Sequence, residues 1–171
     1  MRKLILFLLL LSLSLPALAR DVQICGPVQV FFSPHGGCTE AVVSTIDQAK
    51  TTILVQAYSF TSRTIRDALM EAKGRGVHVQ VIADRTDETS RDSVTQDLQA
   101  AGIEVVYDET HKIAHNKVMI VDGDTVITGS FNWTASAENA NAENLIILHG
   151  QEVAQVYADR WEELRKICVE R

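Results

Sequence analysis

Between Val28 and Tyr107 the chain repeats one order three times, a short apolar strand followed by an amphipathic helix. That order limits the fold more than any compositional figure, because each helix must return the chain so that the next strand can join the same sheet. "VQVFF" at 28–32 alternates as a strand, and "SPHGGC" ends it with Pro34, Gly36 and Gly37. Thr39 is placed to cap a helix reaching Lys50, with Ala41, Val42, Ile46 and Ala49 on one side. "TTILVQAYSF" reads as a buried strand. Thr61 or Ser62 then opens the helix "RTIRDALMEAK", which stops at Gly74 and Gly76. "VHVQVIAD" is a strand of period two, a helix is expected from about Ser90 to Ala101, and "IEVVY" is a further strand.

The pattern then changes. "IAHNKVMIVDGDTVITGS" reads as two strands around a tight Asp-Gly turn, "NLIILHG" as one more strand, and 151–167 as an amphipathic terminal helix. The expectation is an α/β fold: a mixed, largely parallel β-sheet flanked by helices on both faces, in a single domain over residues 20–171. No linker, low-complexity segment or internal repeat interrupts it.

Residues 1–19 stand apart from this pattern. A basic "MRK", a 12-residue apolar core, Pro16 and "ALA" at 17–19 have the form of a secretory signal peptide with cleavage after Ala19. The apolar run is shorter than the roughly 20 residues needed to span a bilayer. The expected location is therefore the periplasm or the exterior, without stable membrane insertion after cleavage. From Arg20 onward, 14 lysines and arginines face 22 acids, a formal charge of −8. That excludes a broadly basic surface but not a local basic cleft. Cys25, Cys38 and Cys168 allow three single pairings in an oxidising compartment, and sequence does not choose among them.

The chemistry concentrates in "HNKVMIVDGDTVITGSFNWT", residues 115–134. On a strand, His115, Lys117 and Met119 share one face. A lysine there can neutralise a phosphate oxygen while the histidine reaches phosphorus. A two-residue loop, at Gly123–Asp124 or at Asp122–Gly123, would put Ser130 on that same face; a three-residue loop would reverse the result. Gly129 permits close backbone approach beside Ser130. Asp122, at the turn, is expected to shape it or support the core. A metal pair in "HKIAH" is disfavoured: the zinc-protease pattern needs Glu where Lys112 stands, and a strand would hold His111 and His115 about 13 Å apart. Trp133 suits either base stacking or the core.

These residues resemble a known family. "HNKVMIVD" fits the H-x-K-x4-D signature of the phospholipase D superfamily, and "GSFNWT" fits its continuation. "VQVFFSPHGGC", "ILVQAYSFTS" and "ALMEAKGRGVHVQVIAD" are similar to the N-terminal half of its small secreted bacterial endonucleases. The resemblance implies a phosphodiesterase needing no cofactor and no metal, with Lys117, Ser130 and Asn132 holding phosphate oxygens. It also implies that Glu143, in "NAENLIIL", orients the His115 ring. The other histidines, His35, His78, His111 and His149, are followed two places on by Gly37, Gln80, Ile113 and Gln151, so no second H-x-K exists in the chain. Small members of the family supply it from a second copy, which implies a homodimer through the active-site face. The expected substrate is nucleic acid, DNA or RNA, cut without base readout. A phospholipid headgroup and a non-catalytic nucleic-acid-binding role are the alternatives.

Overall fold

The computed structural model describes Val22, Ile24 and residues 26–170. The expected signal peptide and Cys25 lie outside the described residues. Seven strands form one sheet: β1 (Val28–Ser33), β2 (Thr52–Ala57), β3 (His78–Asp84), β4 (Glu104–Asp108), β5 (Val118–Val121), β6 (Thr125–Gly129) and β7 (Glu143–His149). Their order across the sheet is β1-β7-β6-β5-β2-β3-β4. The sheet is mixed, as expected. Only the β2–β3 and β3–β4 pairs are parallel, and the other four pairs are antiparallel. By direction, β1, β2, β3, β4 and β6 still run one way, because β5 and β7 are interleaved among them. The expectation of a largely parallel sheet therefore holds for direction but not for pairing.

Helices cover both faces. On one side lie α1 (Cys38–Gln48), α2 (Arg63–Gly74) and α4 (Thr95–Ala100). Cys38, Val42 and Ile46 of α1 and Ile65, Leu69 and Ala72 of α2 pack with Val55, Val79, Met119 and Ile127 in the larger core. On the other side α6 (Gln151–Val169) sets Ala154, Trp161 and Leu164 against Ile82, Val118, Ile120 and Val126. Burial on each face is the main stabilising term, about 1.5–3 kcal/mol for each large aliphatic side chain. Central strand β2 takes a tryptophan from each side: Trp133 Nε1 donates to the Gln56 carbonyl at 3.1 Å and Trp161 Nε1 to the Val55 carbonyl at 3.0 Å. Trp133 is fully buried and belongs to the core, so base stacking is not its role. No helix among the described residues is long and apolar enough to cross a membrane.

Several local expectations give way to longer-range contacts. Helix α1 begins at Cys38 behind Gly37, whose φ of 79° is left-handed, and Thr39 does not cap it. Its amides are met instead by Glu138, which accepts from Gly37 N at 3.1 Å and Thr39 N at 2.7 Å. The helix expected over 90–101 is shortened to α4, and a separate helix α3 (Arg85–Thr89) precedes it. Strand β5 starts at Val118, so His115 and Lys117 lie in the extended segment before it. The β5–β6 register pairs Val121 with Thr125 and Val118 with Thr128, leaving the three-residue loop Asp122–Asp124. The alternation that would put Ser130 on the face of His115 and Lys117 is thereby reversed.

Asp122 explains that loop. It has φ 52°, and its carboxylate accepts from Lys50 N at 2.9 Å, Thr51 N at 2.8 Å and Thr52 N at 3.0 Å, fastening the turn to the start of β2. Burial alone would raise its pKa, but these hydrogen bonds outweigh burial and hold it below the ordinary value. Asp122→Ala is expected to lower unfolding stability by roughly 2 kcal/mol, read as a lower urea midpoint. Because the folded pKa is depressed, the ionic part of this contribution is complete above about pH 4. It is lost as pH falls through the lower folded value, so the gap between wild type and variant narrows on acidification.

Candidate active site

The carboxyl ends of β1, β2, β3, β4 and β6 and the amino ends of β5 and β7 meet at one end of the sheet. Ligand crevices in α/β sheets form beyond the carboxyl ends of strands. Here that end gathers Ser33, Tyr58, Asp84, Asp108, His115, Lys117, Ser130 and Glu143.

His115 is exposed, whereas Lys117 has only 5% of its surface accessible. The Lys117 ammonium donates to the His115 carbonyl at 2.7 Å and lies 5.0 Å from the centre of the Tyr58 ring. The same ring is 4.5 Å from the His115 imidazole, tilted by 51°. Burial lowers the Lys117 pKa, and the charge of Glu143 partly restores it. A cation held this way in a dry setting interacts strongly with an incoming anion.

Ser130 and Glu143 form a second cluster. Ser130 Oγ donates to Glu143 Oε2 at 2.6 Å and accepts from Asn144 N at 3.0 Å. Asn141 Nδ2 donates to Glu143 Oε1 at 3.0 Å, and Ser33 Oγ accepts from Glu143 N at 3.2 Å. The Glu143 carboxylate thus meets Ser130 and Asn141 and makes no hydrogen bond to the His115 ring among the described residues. The two clusters are linked through the charge of Glu143 on Lys117. Asn132 lies just beyond, its buried Oδ1 without a hydrogen-bond partner among the described residues.

The bulge after β6 makes this arrangement. Gly129 has φ 149°, and the amides of both Ser130 and Phe131 point at the Asn144 carbonyl, at 3.0 and 3.3 Å. A Cβ at Gly129 would sit 2.2 Å from that carbonyl oxygen.

Buried carboxylates fasten the loop that carries His115. Asp84, 1% exposed, accepts from Ala114 N at 2.7 Å. Burial alone would raise its pKa, but hydrogen bonds from Thr86 and Ala114 hold it below its ordinary value. Asp108, 2% exposed, accepts from His111 Nδ1 at 2.7 Å. Asp84, Ser33, Asn141 and Tyr58 were not marked by motif reasoning. The signal that could have found Asp84 and Tyr58 is their place at or just past the carboxyl ends of β3 and β2. No group of three or more His, Cys, Asp or Glu side chains suited to a metal ion occurs among the described residues.

At this end of a mixed α/β sheet, an exposed histidine and a buried lysine in H-x-K spacing define a phosphate-handling site. The comparisons agree. Residues 42–165 match the family described as "Cardiolipin synthase, PLD-like domain". The phospholipase D of Rickettsia conorii is 44% identical over 134 residues, covering 78% of this chain and 67% of that protein. The mitochondrial cardiolipin hydrolase of Xenopus laevis is 30% identical over 177 residues, covering 90% and 84%. Among solved structures, Nuc of Salmonella typhimurium, a phospholipase D family member, is 40% identical with a TM-score of 0.78 over 82% of this chain and 94% of its own. The chain belongs to the phospholipase D superfamily, and it is a phosphodiesterase of that class.

Gly129→Ala should force β6 and β7 apart, costing more than roughly 2 kcal/mol and displacing Ser130. Thermal unfolding and phosphodiesterase rate, measured together, are expected to fall together.

Proposed function

We propose that this protein is an exported, metal-independent endonuclease, cutting DNA or RNA with little sequence preference at a site shared by two copies of the chain. The observation that carries the reading is the exposed His115 standing over the buried Lys117 in a chain with one such pair. In-line displacement at phosphorus calls for a nucleophile on one side and an acid on the other, and a second copy supplies the missing partner.

The chemistry needs only these residues. Neutral His115 attacks phosphorus, forming a P–N bond as the P–O bond to the leaving alcohol breaks. His115 of the partner subunit, protonated, gives its proton to that alcohol. Water then attacks the phosphohistidine, its proton passes to the partner's imidazole, and the first histidine is released. Lys117, with Ser130 and Asn132 beside it, stabilises the equatorial oxygens. In this arrangement Glu143 anchors Ser130 and tunes Lys117. No base-edge contact is required, which accords with weak sequence preference.

A dimer is supported by an apolar stripe on edge strand β1. Val28, Val30 and Phe32 share one side and are 50%, 51% and 66% exposed. Phe32 pairs in register with Asn144, whose amide holds Ser130, so the stripe runs into the site. Such an edge is ordinarily covered or charged. Phe32→Glu is expected to yield monomers in sedimentation velocity and to lower the cleavage rate at least about tenfold.

Phospholipid headgroup hydrolysis is the second reading. Its support is the relatives named phospholipase D and cardiolipin hydrolase, together with Ile113, 50% exposed two residues before His115. The deciding experiment is digestion in EDTA of labelled single-stranded DNA, duplex DNA, RNA and phospholipid, with His115→Ala as control. Nucleic-acid cleavage that vanishes in the variant is expected. Lipid turnover alone would establish the second reading, and DNA binding with no turnover would leave a binding module.

A further inference from the structure

His115 and Lys117 lie in one segment before β5, and one side chain from outside that segment meets both and can position them. We infer that Tyr58 is that positioning residue, a single aromatic platform that sets the His115 imidazole and the Lys117 ammonium relative to each other. This inference rests on the phosphodiesterase reading of the same site.

The geometry is specific. Among the described residues, Tyr58 is the one side chain that makes a ring contact with His115, and its face also receives Lys117. An aromatic face attracts an ammonium and packs against an imidazole without removing either ring nitrogen from use. Attack or proton transfer uses one ring nitrogen, and packing on the Tyr58 face takes up neither. The tyrosine hydroxyl has no hydrogen bond among the described residues, so the ring is the functional part.

The backbone that carries Tyr58 is held on its following side. Ser59 has φ 59°, a conformation costly for a residue with a side chain. Asp87, 3% exposed, retains it by accepting from Ser59 N and Phe60 N, each at 3.1 Å. The next two amides, of Thr61 and Ser62, donate to the Trp133 carbonyl at 3.0 and 2.8 Å. Trp133 belongs to the same "GSFNWT" segment as Ser130 and Asn132, so the platform and the phosphate-holding side chains share one scaffold. A strained residue retained beside catalytic groups fits preorganisation.

The test pairs an NMR measurement with kinetics. In the intact wild-type protein the His115 ring protons should show a ring-current displacement, kept in Tyr58→Phe and abolished in Tyr58→Leu. With a labelled oligonucleotide, Tyr58→Phe should stay within about threefold of wild type. Tyr58→Leu should lose about 100-fold in kcat with little change in KM, the cost expected of a misplaced reacting group. Absence of the ring-current displacement in wild type overturns the inference and needs no variant to fold. So does full activity in Tyr58→Leu, or a loss in Tyr58→Phe equal to that in Tyr58→Leu. Failure of the phosphodiesterase reading looks different: wild type would turn over no diester, while the displacement would persist.

Discussion

A lysine ammonium almost removed from water is the constraint around which the working end of this molecule is arranged. An uncompensated buried cation costs several kcal/mol. Lys117 is compensated by three sources on separate elements: the His115 carbonyl two residues before it, the face of Tyr58 beyond β2, and the charge of Glu143 at the start of β7. The last two reach Lys117 only when β2, β5, β6 and β7 are in register. The sheet is therefore a device for bringing a partial counter-charge near the ammonium without neutralising it, and an arriving phosphate completes the compensation.

The acidic composition suits this end better than the net charge suggests. Asp84, Asp87 and Asp108 are buried, and each accepts backbone amides in the loops that follow β2, β3 and β4. Asp122 and Glu138 do the same at the β5–β6 turn and the start of α1. These carboxylates serve as fasteners for loops. A substrate meets the side chains those loops present, so a formal charge of −8 on the chain from Arg20 says little about the field at the crevice.

What was legible in the sequence was what is local or periodic. The seven strands, the start of α2 at Thr61 or Ser62 and the H-x-K spacing all follow from patterns a few residues long, and the structure selects Ser62 as the cap. What was not legible depended on distant partners. The helix start at Cys38 needs Glu138. The three-residue turn needs the amides of Lys50, Thr51 and Thr52, and the bulge at Gly129 that carries Ser130 past the ladder needs the Asn144 carbonyl. The separation of α3 from α4 places Asp87 under Ser59 and Phe60. The two strand faces of β5 were also read unequally: Met119 was grouped with the site face, but it is buried in the main core, because both sides of this sheet are covered. Alternation identifies a face without saying what lies over it.

The cap on α1 carries a consequence for how the chain matures. The first amides of that helix are satisfied by a carboxylate 101 and 99 positions further along. While the chain is being made, α1 therefore stands with an open amino end until most of the sheet has been synthesised. Closing that end brings the start of α1 against the short helix Ala135–Asn139 that precedes β7. The step that caps α1 thus also draws the segment after β1 to the helix before β7, so this side of the site is assembled only once Glu138 has been made.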